Sequence, residues 1–231
     1  MKQKIFFGIL KKKYKIPPFA EQKITRSKKK IVFLPKLFRR FFRLLITMQT
    51  LLLHCCCAPC SAAIIEWLLD ANIRPALFFY NPNIYPKPEY DLRKSELVRY
   101  ALSQGIEIIE GDNDHERWLH QVAGWEDEPE RGARCLQCFK IRMLAAAQLT
   151  YERGYGRFAA TLASSRWKSL DQIAQAGHWA AMQFTGITFW DKNWRKDGLS
   201  ERRYQLLKEN GFYNQRYCGC EFSNKQDESL N

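Results

Sequence analysis

From residue 48 onward, short apolar runs alternate with longer segments of helical period, and this alternation most narrows the possible fold. Neighbouring parallel strands need a crossover to bring the chain back to the same end, and a helix is the usual crossover. The pattern therefore predicts an α/β fold, a parallel sheet flanked by helices. The first strand reads over 51–53 and runs straight into cysteines. Ser61 reads as the cap of a helix reaching residue 72, with Ile64, Ile65, Leu68 and Leu69 inward. The run PALFFY (75–80) is a buried-type strand stopped by Asn81, Pro82 and Asn83. Helices follow over 89–104, 113–122, 135–153, 169–184 and 200–210, with strands over 106–110, 158–162 and 187–190. In the third of these helices Ile141, Leu144, Ala145 and Leu149 fall at core spacing. An acidic loop spans 124–132. Ligands of such folds bind beyond the carboxyl ends of the strands, where the first cysteines stand. No GxGxxG or GxxxxGK[ST] run occurs, which excludes a dinucleotide turn or a P-loop of the usual form.

The eight cysteines fall in three tight groups: Cys55, Cys56, Cys57 and Cys60; Cys135 and Cys138; Cys218 and Cys220. A chain of 231 residues with 46% hydrophobic content has enough core not to need stapling by disulfides. In a reducing cytoplasm such thiols read as metal ligands or redox groups. A strand end leading into a helix N-terminus favours thiolates at the first group. In the CLQC run the spacing puts Cys135 and Cys138 on one side of a first helical turn, and Arg134 is placed to lower their pKa. Gly219 allows the tight backbone that Cys218 and Cys220 need to close a small disulfide or grip one metal. Zinc or a 4Fe–4S cluster takes four thiolates. Cys56, Cys57, Cys135 and Cys138 make one such set, leaving Cys60, Cys218 and Cys220 for a second role. That surplus favours an iron–sulfur centre over a structural zinc site.

Charge is unevenly spread. Residues 1–47 hold 15 of the 37 lysines and arginines and one of the 24 acids, so the remainder, with 22 against 23, is nearly neutral. This argues against nucleic-acid binding by bulk charge. Phe38, Phe41, Phe42 and Leu45 share a helical face opposite Arg39, Arg40 and Arg43, as in a basic amphipathic arm. The stronger expectation is that 1–47 is disordered or an over-extended start before Met48, that 48–223 is the catalytic domain, and that 224–231 is a disordered tail. No apolar run reaches membrane-spanning length, so no stable membrane association is expected.

The stretch LLLHCCCAPCS (51–61), followed by FYNPNI, EYDLRKSEL, RCLQCFKIRM and YNQRYCGCEFS, resembles the QueH-type epoxyqueuosine reductases in order and spacing over about residues 50–223. The resemblance implies a nucleotide-hydrolase-like (HUP-like) α/β domain. It also implies reduction of epoxyqueuosine to queuosine in the tRNA wobble position, with two electrons from an external donor and two protons. It further implies a 4Fe–4S cluster, carried onto Cys56, Cys57, Cys135 and Cys138, with a second adjacent iron. Cys60, Cys218 and Cys220 then serve that second metal or a redox disulfide, and Cys55 falls at a variable position. One departure is Arg166 and Trp167, where relatives often have Pro and Tyr after the serine. Asp91, Glu89, Tyr85 and His54 are candidate acids, although His54 reads better as a core histidine and the two carboxylates as helix-start groups. For tRNA, residues 190–216 offer seven basic and four acidic residues among Trp190, Trp194, Tyr204 and Tyr213. Alternatives are a zinc-stabilised RNA-binding module and a tRNA-thiolating α/β enzyme.

Overall fold

In the computed structural model, residues 51–223 are described. The basic extension over 1–47, its amphipathic segment and the tail over 224–231 lie outside them. The chain runs β1 (Leu51–Cys55), α1 (Ala58–Asp70), β2 (Ala76–Phe79), α2 (Lys87–Ser103), β3 (Ile108–Glu110), α3 (His115–Val122) and α4 (Ala133–Glu152). It continues through β4 (Arg157–Ala160), a 3-10 turn (Thr161–Ser164), α5 (Leu170–Ala181), β5 (Thr188–Phe189) and α6 (Leu199–Glu209). The five strands form one sheet in the order β3-β2-β1-β4-β5, and every pairing is parallel.

The apolar runs explain the order. All five residues of β1 and all four of β2 are buried, as befits central strands covered on both faces. Edge strand β3 is only partly buried. Leu53 sits between Leu77 of β2 and Ala159 of β4. The chain winds from β1 through β2 to β3 on one side, then returns to pair β4 on the other side of β1. That reversal is the switch point, and a crevice opens there beyond the strand ends. Gly177 of α5 meets β5 so closely that a Cβ would lie 2.3 Å from the Phe189 ring. Among the described residues no helix is long and apolar enough to cross a membrane.

Ser61 does not cap α1. The helix starts at Ala58 with Pro59 in its first positions, where a missing N–H costs nothing, and Cys57 takes the cap position without a side-chain bond. The Ser61 hydroxyl instead donates back to the Cys57 carbonyl at 2.7 Å. Asp114 and Ser169 do cap α3 and α5, each accepting a bond from a backbone N–H three residues on.

Phe158 is fully buried in β4 with its ring 5.1 Å from that of Phe189. Phe158→Ala is expected to destabilise the domain by about 3–5 kcal/mol, read as a shift in the denaturant midpoint at constant m.

Candidate active site

The site grows from the switch point. Strand β1 ends at Cys55, so Cys56 and Cys57 cross the gap into α1, and Cys60 lies in its first turn. The Sγ atoms of Cys56, Cys57 and Cys60 all lie within 4.8 Å of one another, and all three residues are buried. The turn after β4 supports them: the Thr161 hydroxyl accepts from the Cys56 backbone N–H at 3.4 Å and stands 3.8 Å from its sulfur. The Cys57 thiol donates to Gln215 Oε1 at 3.2 Å. Hydrogen bonds from Cys57 and Cys60 hold the Cys56 thiol well below its ordinary pKa against the cost of burial, while burial raises Cys57. Of the two, Cys56 is thus the one whose thiolate is favoured. Cys55 differs. It is fully buried, donates to the Leu53 carbonyl, and burial pushes its thiol up.

The remaining cysteines form a second group. Cys135 and Cys138 stand in the first turns of α4, and Cys138 packs with Cys220, Trp118 and Val122 in a small apolar cluster. Burial, then the charge of Cys218, raises Cys135 to about 11, so the expected lowering by Arg134 is outweighed. Arg134 is itself occupied, donating to the carbonyls of Trp125 and Glu126. A hydrogen bond from Cys220 lowers the Cys218 thiol, and Lys168 and Arg142 reinforce the shift. Gly219 between them has φ +112°, and a Cβ there would sit 2.9 Å from Arg93 Nη1. Among the described residues, only Cys56, Cys57 and Cys60 bring three ligand atoms within 4.8 Å. Cys135 and Cys138 are not members of that close group.

A cavity of about 600 Å³ opens over the triad. Six cations line it, Arg93, Arg142, Arg166, Lys168, Arg203 and Arg216, against one carboxylate, Glu130. Arg142 is 2% exposed and donates to Asn81 Oδ1 at 2.5 Å, and among the described residues its Nε has no hydrogen-bond partner and it pairs with no carboxylate. Arg93 is 3% exposed, is bound to Glu89, and reaches the carbonyls of Cys218 and Tyr217 at 3.2 and 3.3 Å. At the rim Trp167 and Tyr204 are 62% and 50% exposed.

The basic and aromatic segment over 190–216 divides. Trp194 is buried and Trp190 packs against it and Trp67, while Arg202 is tied to Glu66 and Glu209. From that segment only Arg203, Tyr204 and residues from Asn214 onward line the cavity. None of the four expected acids lines it either. Glu89 is paired with Arg93, Asp91 with Lys87, Tyr85 stacks on His115, and His54 is fully buried with Nε2 at 2.9 Å from the Tyr80 carbonyl. Burial, helped by Arg142, lowers His54 to about 3, so its imidazole is neutral.

Arg93, Arg142, Glu130, Thr161 and Gln215 were not among the expected site residues. Arg142 had a visible signal: it lies one turn after Cys138 on a helix whose neighbouring positions are apolar. Glu130 lay in a loop legible only as acidic.

Comparison with known proteins identifies the family. The family model described as epoxyqueuosine reductase QueH matches residues 51–226. A relative from Histophilus somni named epoxyqueuosine reductase QueH is 46% identical over 173 residues, covering 75% of this chain and 71% of that protein. One of the same name from Haemophilus influenzae is 45% identical over the same shares. The Thermotoga maritima protein of that name is 35% identical over 179 residues, covering 76% of this chain and 91% of its own. The matched residues span the whole sheet and all three cysteine groups, and the chain belongs to the QueH family of epoxyqueuosine reductases.

Proposed function

We propose that this chain reduces epoxyqueuosine to queuosine at the wobble position of tRNA, drawing electrons from an external donor in the cytoplasm. The observation that carries the reading is the buried triad of Cys56, Cys57 and Cys60 at the floor of a cation-lined cavity, in a chain of this family. The family match does not favour the zinc-stabilised binding module or the thiolating enzyme.

The residues fit an anionic sulfur-ligated group. Among the described residues the buried guanidinium of Arg142 has no carboxylate partner and an unsatisfied Nε, which suits a counter-charge of thiolates. Cys56, Cys57, Cys135 and Cys138 would hold the 4Fe–4S cluster, with Cys60, Cys218 and Cys220 at a second iron or acting as a redox pair. Cys135 belongs to a pocket that shares Glu130, Trp167, Lys168 and Cys218 with the large cavity, which supports a joint site. When bound, such a cluster supplies electrons one at a time. The chain's own residues do the rest. The arginines and Lys168 receive phosphate and polar hydroxyls, and Trp167 and Tyr204 offer rings to an unstacked base.

Two measurements test this. Anaerobically purified protein is expected to carry about four irons per chain or more, with matching cluster sulfide and a brown colour. Colourless protein with stoichiometric zinc after reconstitution contradicts the cluster. Trp167→Ala is expected to raise KM for modified tRNA about tenfold at unchanged iron content, the loss of one stacked base. An unchanged KM removes Trp167 from the binding surface.

A further inference from the structure

Removing the epoxide oxygen breaks two C–O bonds, forms one C=C bond and releases water. The balance takes two electrons, from a low-potential one-electron carrier protein, and two protons. One proton must reach the oxygen as the first C–O bond breaks, because an alkoxide is a poor leaving group in a dry site.

The cavity offers few donors. Its five arginines keep their protons. Lys168, half-buried, is held protonated against the cost of burial, well above its ordinary pKa, by the charges of Cys218, Cys56 and Cys60. Tyr217 is pushed up to about 12 by burial and Glu89. Glu130 is the sole carboxyl among the lining residues, and it borders both the large cavity and the smaller pocket with Cys135 and Cys218. It makes no hydrogen bond or ion pair with any described residue. Two residues back, Glu128 does the structural work at the start of α4, accepting the Ala133 N–H at 3.0 Å. Glu130 is thus left facing the cavity with its carboxyl unspent.

We propose that Glu130 is the general acid of the reductase, giving a proton to the epoxide oxygen as its C–O bond breaks. The assignment rests on the activity proposed above. Glu130 then recovers a proton from solvent, and the second proton follows when water leaves. Burial and the Cys218 charge favour its protonated form, opposed by Lys168, Arg131 and Arg134.

Turnover of epoxyqueuosine tRNA is compared in wild-type, Glu130→Gln and Glu130→Asp holoenzymes, with iron content and tRNA affinity measured on each. Glu130→Gln is expected to lower kcat about 100-fold or more while iron and affinity stay at wild-type levels, and Glu130→Asp to recover part of the rate. The wild-type rate should fall as pH rises through the Glu130 titration, and Glu130→Gln should lack that limb. Wild-type rates in Glu130→Gln, or the same pH limb persisting, overturn the assignment. So does loss of iron in step with activity, which would make Glu130 a ligand. An inactive wild-type holoenzyme overturns the reductase reading itself, and the acid with it.

Discussion

Serine at both Cys56 and Cys57 is expected to abolish turnover and to leave the purified protein with less than about a tenth of wild-type iron. The expectation follows from position. These residues join β1 to α1 at the switch point, their sulfurs lie within 4.8 Å of one another and of Cys60, and hydrogen bonds from Cys57 and Cys60 hold the Cys56 thiol well below its ordinary pKa. Serine fills the same space but binds iron weakly at neutral pH, since its hydroxyl does not ionise there. The fold should survive, because both side chains face the cavity and the core beneath is made by Leu51, Leu52 and Leu53. Far-UV circular dichroism like that of the wild type, with iron lost, is the expected pair of readings. Full iron in the double variant removes these cysteines from the ligand set.

Arg93→Ala is expected to lower stability by about 3–5 kcal/mol and to cut turnover sharply. Its guanidinium joins three partners: the Glu89 carboxylate, with a side chain 11% exposed, and the carbonyls of Tyr217 and Cys218. Removal strands a nearly buried carboxylate and frees the loop that carries Cys218 and Cys220. Arg93→Lys should not restore either property, because one ammonium cannot serve three acceptors in a fork. Thermal melts and activity on both variants decide it. A wild-type melting temperature in Arg93→Ala contradicts the role.

The sheet was legible because its central strands are covered on both faces and therefore read as unbroken apolar runs at 51–53 and 76–79. The short edge strand β5 was legible, its expected span of 187–190 running one residue past the observed strand at each end. The start of α1 was misread because Ser61 carries a cap signal, whereas Pro59, the fifth residue of the run that opens at Cys55, sets the true start. Trp190 and Trp194 looked like a base-stacking surface and are largely core, since an aromatic beside lysines has the same composition in either role. The three cysteine groups were plain from spacing. The structure keeps Cys60 with Cys56 and Cys57, as the spacing grouped them, and adds what spacing could not show: Cys218 stands near enough to Cys135 and Cys138 for its charge to raise both thiols. Arg93 and Arg142 were hidden because helical arginines are usually solvated, and only the fold shows that these two point inward.

The most direct test of the central claim is a single-turnover assay on tRNA carrying epoxyqueuosine, with anaerobic holoenzyme and a chemical reductant, followed by nuclease digestion and mass spectrometry of the wobble nucleoside. The account predicts loss of one oxygen atom, giving queuosine, in proportion to the enzyme added. Unchanged epoxyqueuosine in the presence of iron-loaded, reduced enzyme would contradict it.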